Sequence, residues 1–109
     1  MRVAIFSDIH GNCFALDAML ADAERQQMDH FLCLGDAVQG GAQPAETVAR
    51  LRELGCPIVM GNADAWLLSG RVTGNETVSS ERLQAMHEVR EWSLTQLSSG
   101  HWLVISRGL

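Results

Sequence analysis

A mainly parallel α/β fold follows from three observations on this chain of 109 residues. Three short apolar runs, Val3-Ala4-Ile5-Phe6, Phe31-Leu32-Cys33-Leu34 and Pro57-Ile58-Val59-Met60, each lead into a loop bearing an acid or amide. Amphipathic helical stripes separate the runs. The polar residues that close them recur at nearly constant spacing, 28 residues from Asp8 to Asp36 and 26 from Asp36 to Asn62, which is close to the length of a βαβ unit. Right-handed crossovers between such units bring all three loops to the carboxyl edge of one sheet, where open α/β sheets bind ligands.

Taken in order, residues 2–7 predict the first strand. Asp8 and His10 then share a direction, because positions i and i+2 of an extended chain point the same way. Asn12 caps a helix over about residues 13–26, with Phe14, Leu16, Met19, Leu20 and Ala23 as its apolar stripe. Phe31 to Leu34 is apolar throughout and reads as a fully buried strand. Ala37 to Gln43 has no periodicity and reads as a loop. Pro44 suits the first position of a helix; Val48, Leu51 and Leu54 form its stripe, and Gly55 stops it. Pro57 to Met60 is the third strand, and Trp66-Leu67-Leu68 continues a helical turn after it. A polar loop is expected over 69–80 and a final helix from Glu81 to about Leu97, with Leu83, Met86, Val89, Leu94 and Leu97 inward. His101 to Ile105 reads as a last short strand. Trp66, Trp92 and Trp102 are expected in the core or at an interface.

Composition narrows the function classes. The net charge is −5 with no basic run, which argues against a non-specific nucleic-acid groove or an anionic membrane surface as partner. Mean hydropathy is +0.03, as in globular chains. No apolar run approaches the ~20 residues of a membrane span, and the start does not read as a signal peptide, so the expected location is cytoplasmic. Cys13, Cys33 and Cys56 contain no C-x-x-C pair and read as reduced, buried thiols.

Asp8, His10, Asp36, Asn62 and Asp64 carry the chemistry. Hard oxygens with one imidazole suit Mn²⁺, Fe²⁺, Zn²⁺ or Mg²⁺, and no thiolate is placed for a soft structural site. Gly35 and Gly61 precede Asp36 and Asn62, leaving room beside the backbone for an ion or phosphate. The bland alternative is that Asp8 and His10 merely cap the first helix turn, and that Asp64 is an ordinary N-cap for the turn at Ala65-Trp66. His30, His87 and His101 read as surface residues. A receiver domain with Asp36 as phospho-acceptor would also be doubly wound, but it wants an acidic pair after the first strand and a late lysine. This chain has Asp8-Ile9-His10 and no lysine.

The motifs Asp8-Ile9-His10, Gly35-Asp36 and Gly61-Asn62-Ala63-Asp64, in that order and spacing, resemble those of the calcineurin-like metallophosphoesterases. The context Phe6-Ser7-Asp8-Ile9-His10-Gly11-Asn12 is similar to the small bacterial and archaeal phosphodiesterase branch. The resemblance covers residues 1–70 closely and 81–97 loosely. It implies one domain over 1–109 with the architecture of the N-terminal half of a metallophosphoesterase α/β sandwich, a mainly parallel sheet with flanking helices. It also implies hydrolysis of a small phosphate ester or phosphodiester by a hydroxide activated by two divalent ions. Mn²⁺ is the foremost expectation, with Fe²⁺, Zn²⁺, Mg²⁺ or Ni²⁺ as alternatives.

Position by position, the resemblance gives Asp8 and His10 to the first ion, Asp36 to a bridge between both, and Asn62 to the second ion and the substrate. Asp64 becomes a catalytic-site residue that orients a ligand or the local loop. The chain departs from the family at Ala63, where a histidine is usual, and it has no H-G or G-H-x-H segment downstream. The alternative reading is therefore a truncated, non-catalytic relative that binds metal weakly or acts as an assembly subunit. An open sheet edge and apolar face would then make it a homo-oligomer.

Overall fold

The computed structural model describes residues 1–72 and 77–106. Its elements are β1 (Val3–Phe6), α1 (Cys13–Arg25), β2 (His30–Cys33), α2 (Pro44–Leu54), α3 (Asn62–Ser69), α4 (Ser80–Thr95) and α5 (Ser99–Ser106). The α/β class is borne out. β1 and β2 pair in parallel, from Val3 opposite His30 to Phe6 opposite Cys33, across the crossover made by α1. Of the polar loop expected over 69–80, residues 73–76 lie outside the described residues, as does the side chain of Trp102.

Local chemistry explains most element boundaries. The Asn12 side chain accepts from Ala15 N–H at 3.0 Å and starts α1. Pro44 opens α2 with no amide to waste, and Gly55 closes it at φ 66°, a left-handed cap that glycine adopts without a Cβ penalty. The third expected strand shrinks to one parallel bridge between Cys33 and Ile58. Cys33 N–H donates to Pro57 O at 3.0 Å and Val59 N–H donates to Cys33 O at 2.8 Å.

The expected strand at 101–105 is instead helix α5. Ser98 and His101 cap it reciprocally: Ser98 N–H donates to His101 Nδ1 at 3.0 Å, and His101 N–H to Ser98 Oγ at 3.4 Å. This is a capping box with histidine in the usual acid position. Ile105 is thereby delivered to the core.

That core is Leu16, Cys33, Ala37, Val38, Val48, Leu51, Ile58, Leu67 and Ile105. Trp66 is buried as expected, whereas Phe14, Val89 and Trp92 are exposed. Phe14 lies one position, about 100° of helix turn, away from the Cys13–Leu16 face that α1 buries. Arg90 of α4 donates through Nε to Trp66 O and Leu67 O, at 3.1 and 3.0 Å, and ties α4 to the end of α3. No helix among the described residues is long and apolar enough to cross a membrane.

Candidate metal centre

Two loops, after β1 and after β2, are laced together by their backbones. Asp8 N–H donates to Gly35 O at 3.0 Å, His10 N–H to Asp36 O at 2.9 Å, and Gly11 N–H to Ala37 O at 2.9 Å. The parallel ladder thus continues past the strands. The lacing fixes Asp8, His10 and Asp36 relative to one another before any ligand arrives.

Within these loops, Asp8, His10 and Asp36 have φ of 59°, 48° and 53°. Asp8 and His10 converge as the sequence spacing suggests, but through left-handed backbone rather than an extended strand. Asp and His enter that region more readily than most side chains. Three such residues in two adjoining loops mark a place where geometry is set by something other than local preference. One ligand atom from each of Asp8, His10 and Asp36 falls within 4.8 Å of the others.

The protonation pattern suits a cation. His10 Nδ1 lies 2.8 Å from Gln39 O, an acceptor only, so Nδ1 carries the proton and donates. Nε2 lies 3.4 Å from Asp8 Oδ1. With the Asp36 carboxylate beside them, the two acids favour a positive charge here, either a proton on Nε2 or a metal ion that takes its place. Ser7 Oγ–H donates to Asp8 Oδ2 at 2.6 Å. That bond is the main reason the Asp8 carboxyl sits below its ordinary 3.8; partial desolvation opposes it and His10 reinforces it. Carboxylate–imidazole–carboxylate is a fitting donor set for a divalent ion of the Mn²⁺ or Zn²⁺ kind.

The third loop supports the other two. Asp64, on α3, is 1% exposed. Its carboxylate accepts from Asp36 N–H at 2.7 Å, Ala37 N–H at 3.0 Å and Gly61 N–H at 2.9 Å. The Gly61 bond is half of a capping box, since glycine has no side chain to return it. Asp36 Oδ1 in turn accepts from Ala63 N–H at 2.9 Å. Gly61 packs so closely on Asp36 that a Cβ there would land on the carboxylate. Gly35, at φ 105°, would bring a Cβ to 2.5 Å from Gly61 N.

Of the five expected residues, the structure brings Asp8, His10 and Asp36 together. Asp64 lies beneath them, and Asn62 is exposed at the start of α3, lining an adjoining cavity. Sequence reasoning missed Gln39, whose carbonyl sets the His10 tautomer. A backbone acceptor leaves no mark on residue type, so no signal was there to find.

Comparison with known proteins agrees with this geometry. Residues 1–108 match the calcineurin-like phosphoesterase family. An uncharacterized protein of Methanocaldococcus jannaschii is 44% identical over 66 residues, which is 61% of this chain and 27% of that protein. The crystal structure of a metallophosphoesterase from Sphaerobacter thermophilus superposes with a TM-score of 0.74 at 34% identity, over 100% of this chain and 42% of that one. The chain thus spans less than half the length of either relative. On the family match, the shared architecture and the convergence of Asp8, His10 and Asp36, the chain belongs to the calcineurin-like phosphoesterase family.

Proposed function

We propose that this chain carries the ligands of a metal-dependent phosphoesterase centre acting on phosphodiesters. The observation that supports it most is the cluster of Asp8, His10 and Asp36 within 4.8 Å, with the His10 tautomer already committed by Gln39 O at 2.8 Å. In this reading Asp8 and His10 hold one divalent ion, Asp36 reaches two, and Asn62 serves the second ion and the substrate. Mn²⁺ is the foremost candidate. Such ions supply an activated water and neutralise phosphoryl charge. The residues of the chain do the positioning: Gln39 O orients the imidazole, Ser7 keeps Asp8 ionised, and Asp64 holds the amides of Asp36, Ala37 and Gly61.

Incubation of the purified chain with Mn²⁺ and bis-p-nitrophenyl phosphate, beside Asp36→Asn, tests this reading. The expected result is metal-dependent turnover that the substitution abolishes. Equal rates in the two proteins would remove Asp36 from the chemistry.

A second reading, an assembly subunit, is favoured by one observation. Val3 and Ile5, two apart on β1, are 41% and 62% exposed, although parallel strands are ordinarily covered on both faces. A second copy of the chain is the partner this reading commits to. Light scattering at rising concentration checks it; a strictly monomeric folded species would sink it.

A further inference from the structure

The backbone conformation of His10 has to be imposed. Its φ of 48° lies in the left-handed region, which a non-glycine residue keeps only where its surroundings over-determine it. From the side of β2, His10 N–H on Asp36 O and Gly11 N–H on Ala37 O, both at 2.9 Å, fix the entry to the turn. The exit, Gly11 to Cys13, is held from α2, an element that contributes no donor to the cluster of Asp8, His10 and Asp36.

Gln43 stands at the N-terminal boundary of α2, where its carbonyl accepts from Thr47 N–H at 3.1 Å. The residues favoured at such a boundary are Ser, Thr, Asp and Asn, whose short side chains cap their own helix. Glutamine is longer, and this one gives α2 no side-chain cap. Its Oε1 accepts instead from Cys13 N–H, the first amide of α1, at 3.1 Å, while its own N–H donates to Gly11 O at 2.9 Å. One residue thus grips the Gly11–Cys13 segment at both ends. Cys13 is buried, so its amide, which no turn of its own helix can satisfy, needs that acceptor. Close approach makes the grip possible. A Cβ at Gly41 would fall on His10 O and lie 2.6 Å from the carbonyl carbon of Gly11, so the chain leading to Gln43 runs flush against the turn only as glycine.

We propose that Gln43 is a positioning residue of the metal centre: by clamping Gly11 and Cys13 it holds His10 in the backbone conformation that brings the imidazole to Asp8 and Asp36. Its effect passes through two backbone groups, Gly11 C=O and Cys13 N–H, and through them α2 helps to set the geometry of the centre. That a metal ion then sits at His10 rests on the proposed function; the clamp on the backbone does not.

Two variants test this. Gln43→Met keeps the reach of the side chain and the backbone N–H but deletes the acceptor; Gln43→Glu keeps an acceptor oxygen. In metal-free protein, hydrogen exchange read by NMR should run at least about tenfold faster at the His10 and Gly11 amides of Gln43→Met, and near the wild-type rate in Gln43→Glu. The Leu34 amide, bonded to Phe6 O at 2.8 Å, should keep its rate, because a loosened turn is a local opening. By calorimetry, Mn²⁺ should bind roughly tenfold more weakly to Gln43→Met and no more weakly to Gln43→Glu than to wild type. Unchanged exchange or unchanged Mn²⁺ affinity in Gln43→Met overturns the positioning role. So does equal acceleration at Leu34, which would mark a general loss of stability, or a Gln43→Glu variant as loose as Gln43→Met. A wild-type chain that takes up no Mn²⁺ overturns the proposed function instead, and the exchange comparison still decides whether Gln43 holds the turn.

Discussion

Asp64 offers the sharpest perturbation, because one buried carboxylate accepts three backbone amides from two loops. Oδ2 takes Asp36 N–H at 2.7 Å and Gly61 N–H at 2.9 Å, and Oδ1 takes Ala37 N–H at 3.0 Å. Asp64→Ala strands all three donors. At about 1–3 kcal/mol for each unsatisfied group, the loss reaches on the order of 3–9 kcal/mol, against a typical whole-domain stability of about 5–15 kcal/mol. That variant is expected to be largely unfolded. Asp64→Asn is the informative change. Its carboxamide oxygen keeps the pair of bonds at Oδ2, while the NH₂ group faces Ala37 N–H, donor against donor, at a cost of about 2–3 kcal/mol. Urea unfolding should show this as an earlier midpoint with an unchanged slope. The folded variant should also bind Mn²⁺ about 10–100-fold more weakly by calorimetry, because losing the Ala37 N–H bond loosens the loop that carries Asp36. A wild-type midpoint together with wild-type Mn²⁺ affinity in Asp64→Asn would refute the positioning role.

Three further outcomes follow from the same contacts. Burial pushes the Cys33 thiol up to about 11, so at pH 8 its thiolate fraction is roughly a hundredfold below that of an ordinary cysteine; iodoacetamide mass mapping of native protein should find half-buried Cys56 modified first and Cys33 last, the order vanishing in urea. Gly61→Ala should cost at least about tenfold in Mn²⁺ affinity, measured by calorimetry, because the added methyl displaces the Asp36 carboxylate. Ser7→Ala removes the hydrogen bond that most lowers the Asp8 carboxyl. The Asp8 midpoint in a carboxyl NMR titration should therefore rise towards 3.8, and the stabilisation from ionised Asp8, which is present above its unfolded pKa and lost as pH falls through the folded one, should shrink.

The βα units were legible because apolar runs of strand length end in S-D, G-D and G-N steps, a punctuation that short-range chemistry writes directly into residue types. Asp8, His10 and Asp36 were legible for the same reason. What escaped was set by tertiary context. The run from His101 to Ile105 is too short for periodicity to separate strand from helix, and the deciding signal, Ser98 with His101, uses histidine where a capping box ordinarily has an acid. Of the third run only Ile58 bridges to β2, a matter of tertiary pairing that the residue types of 57–60 do not encode.

The left-handed backbone at Asp8, His10 and Asp36 places opposing demands on the same three codons. Each non-glycine residue held there costs about 1 kcal/mol, and glycine would recover part of that while deleting a donor atom. Selection for thermal resistance and selection for metal capture therefore pull these positions in opposite directions. A laboratory screen that rewards survival of heating alone, with no metal in the medium, would drift toward glycine at Asp8 and leave the sheet, the helices and the buried Asp64 intact around a centre that can no longer grip an ion.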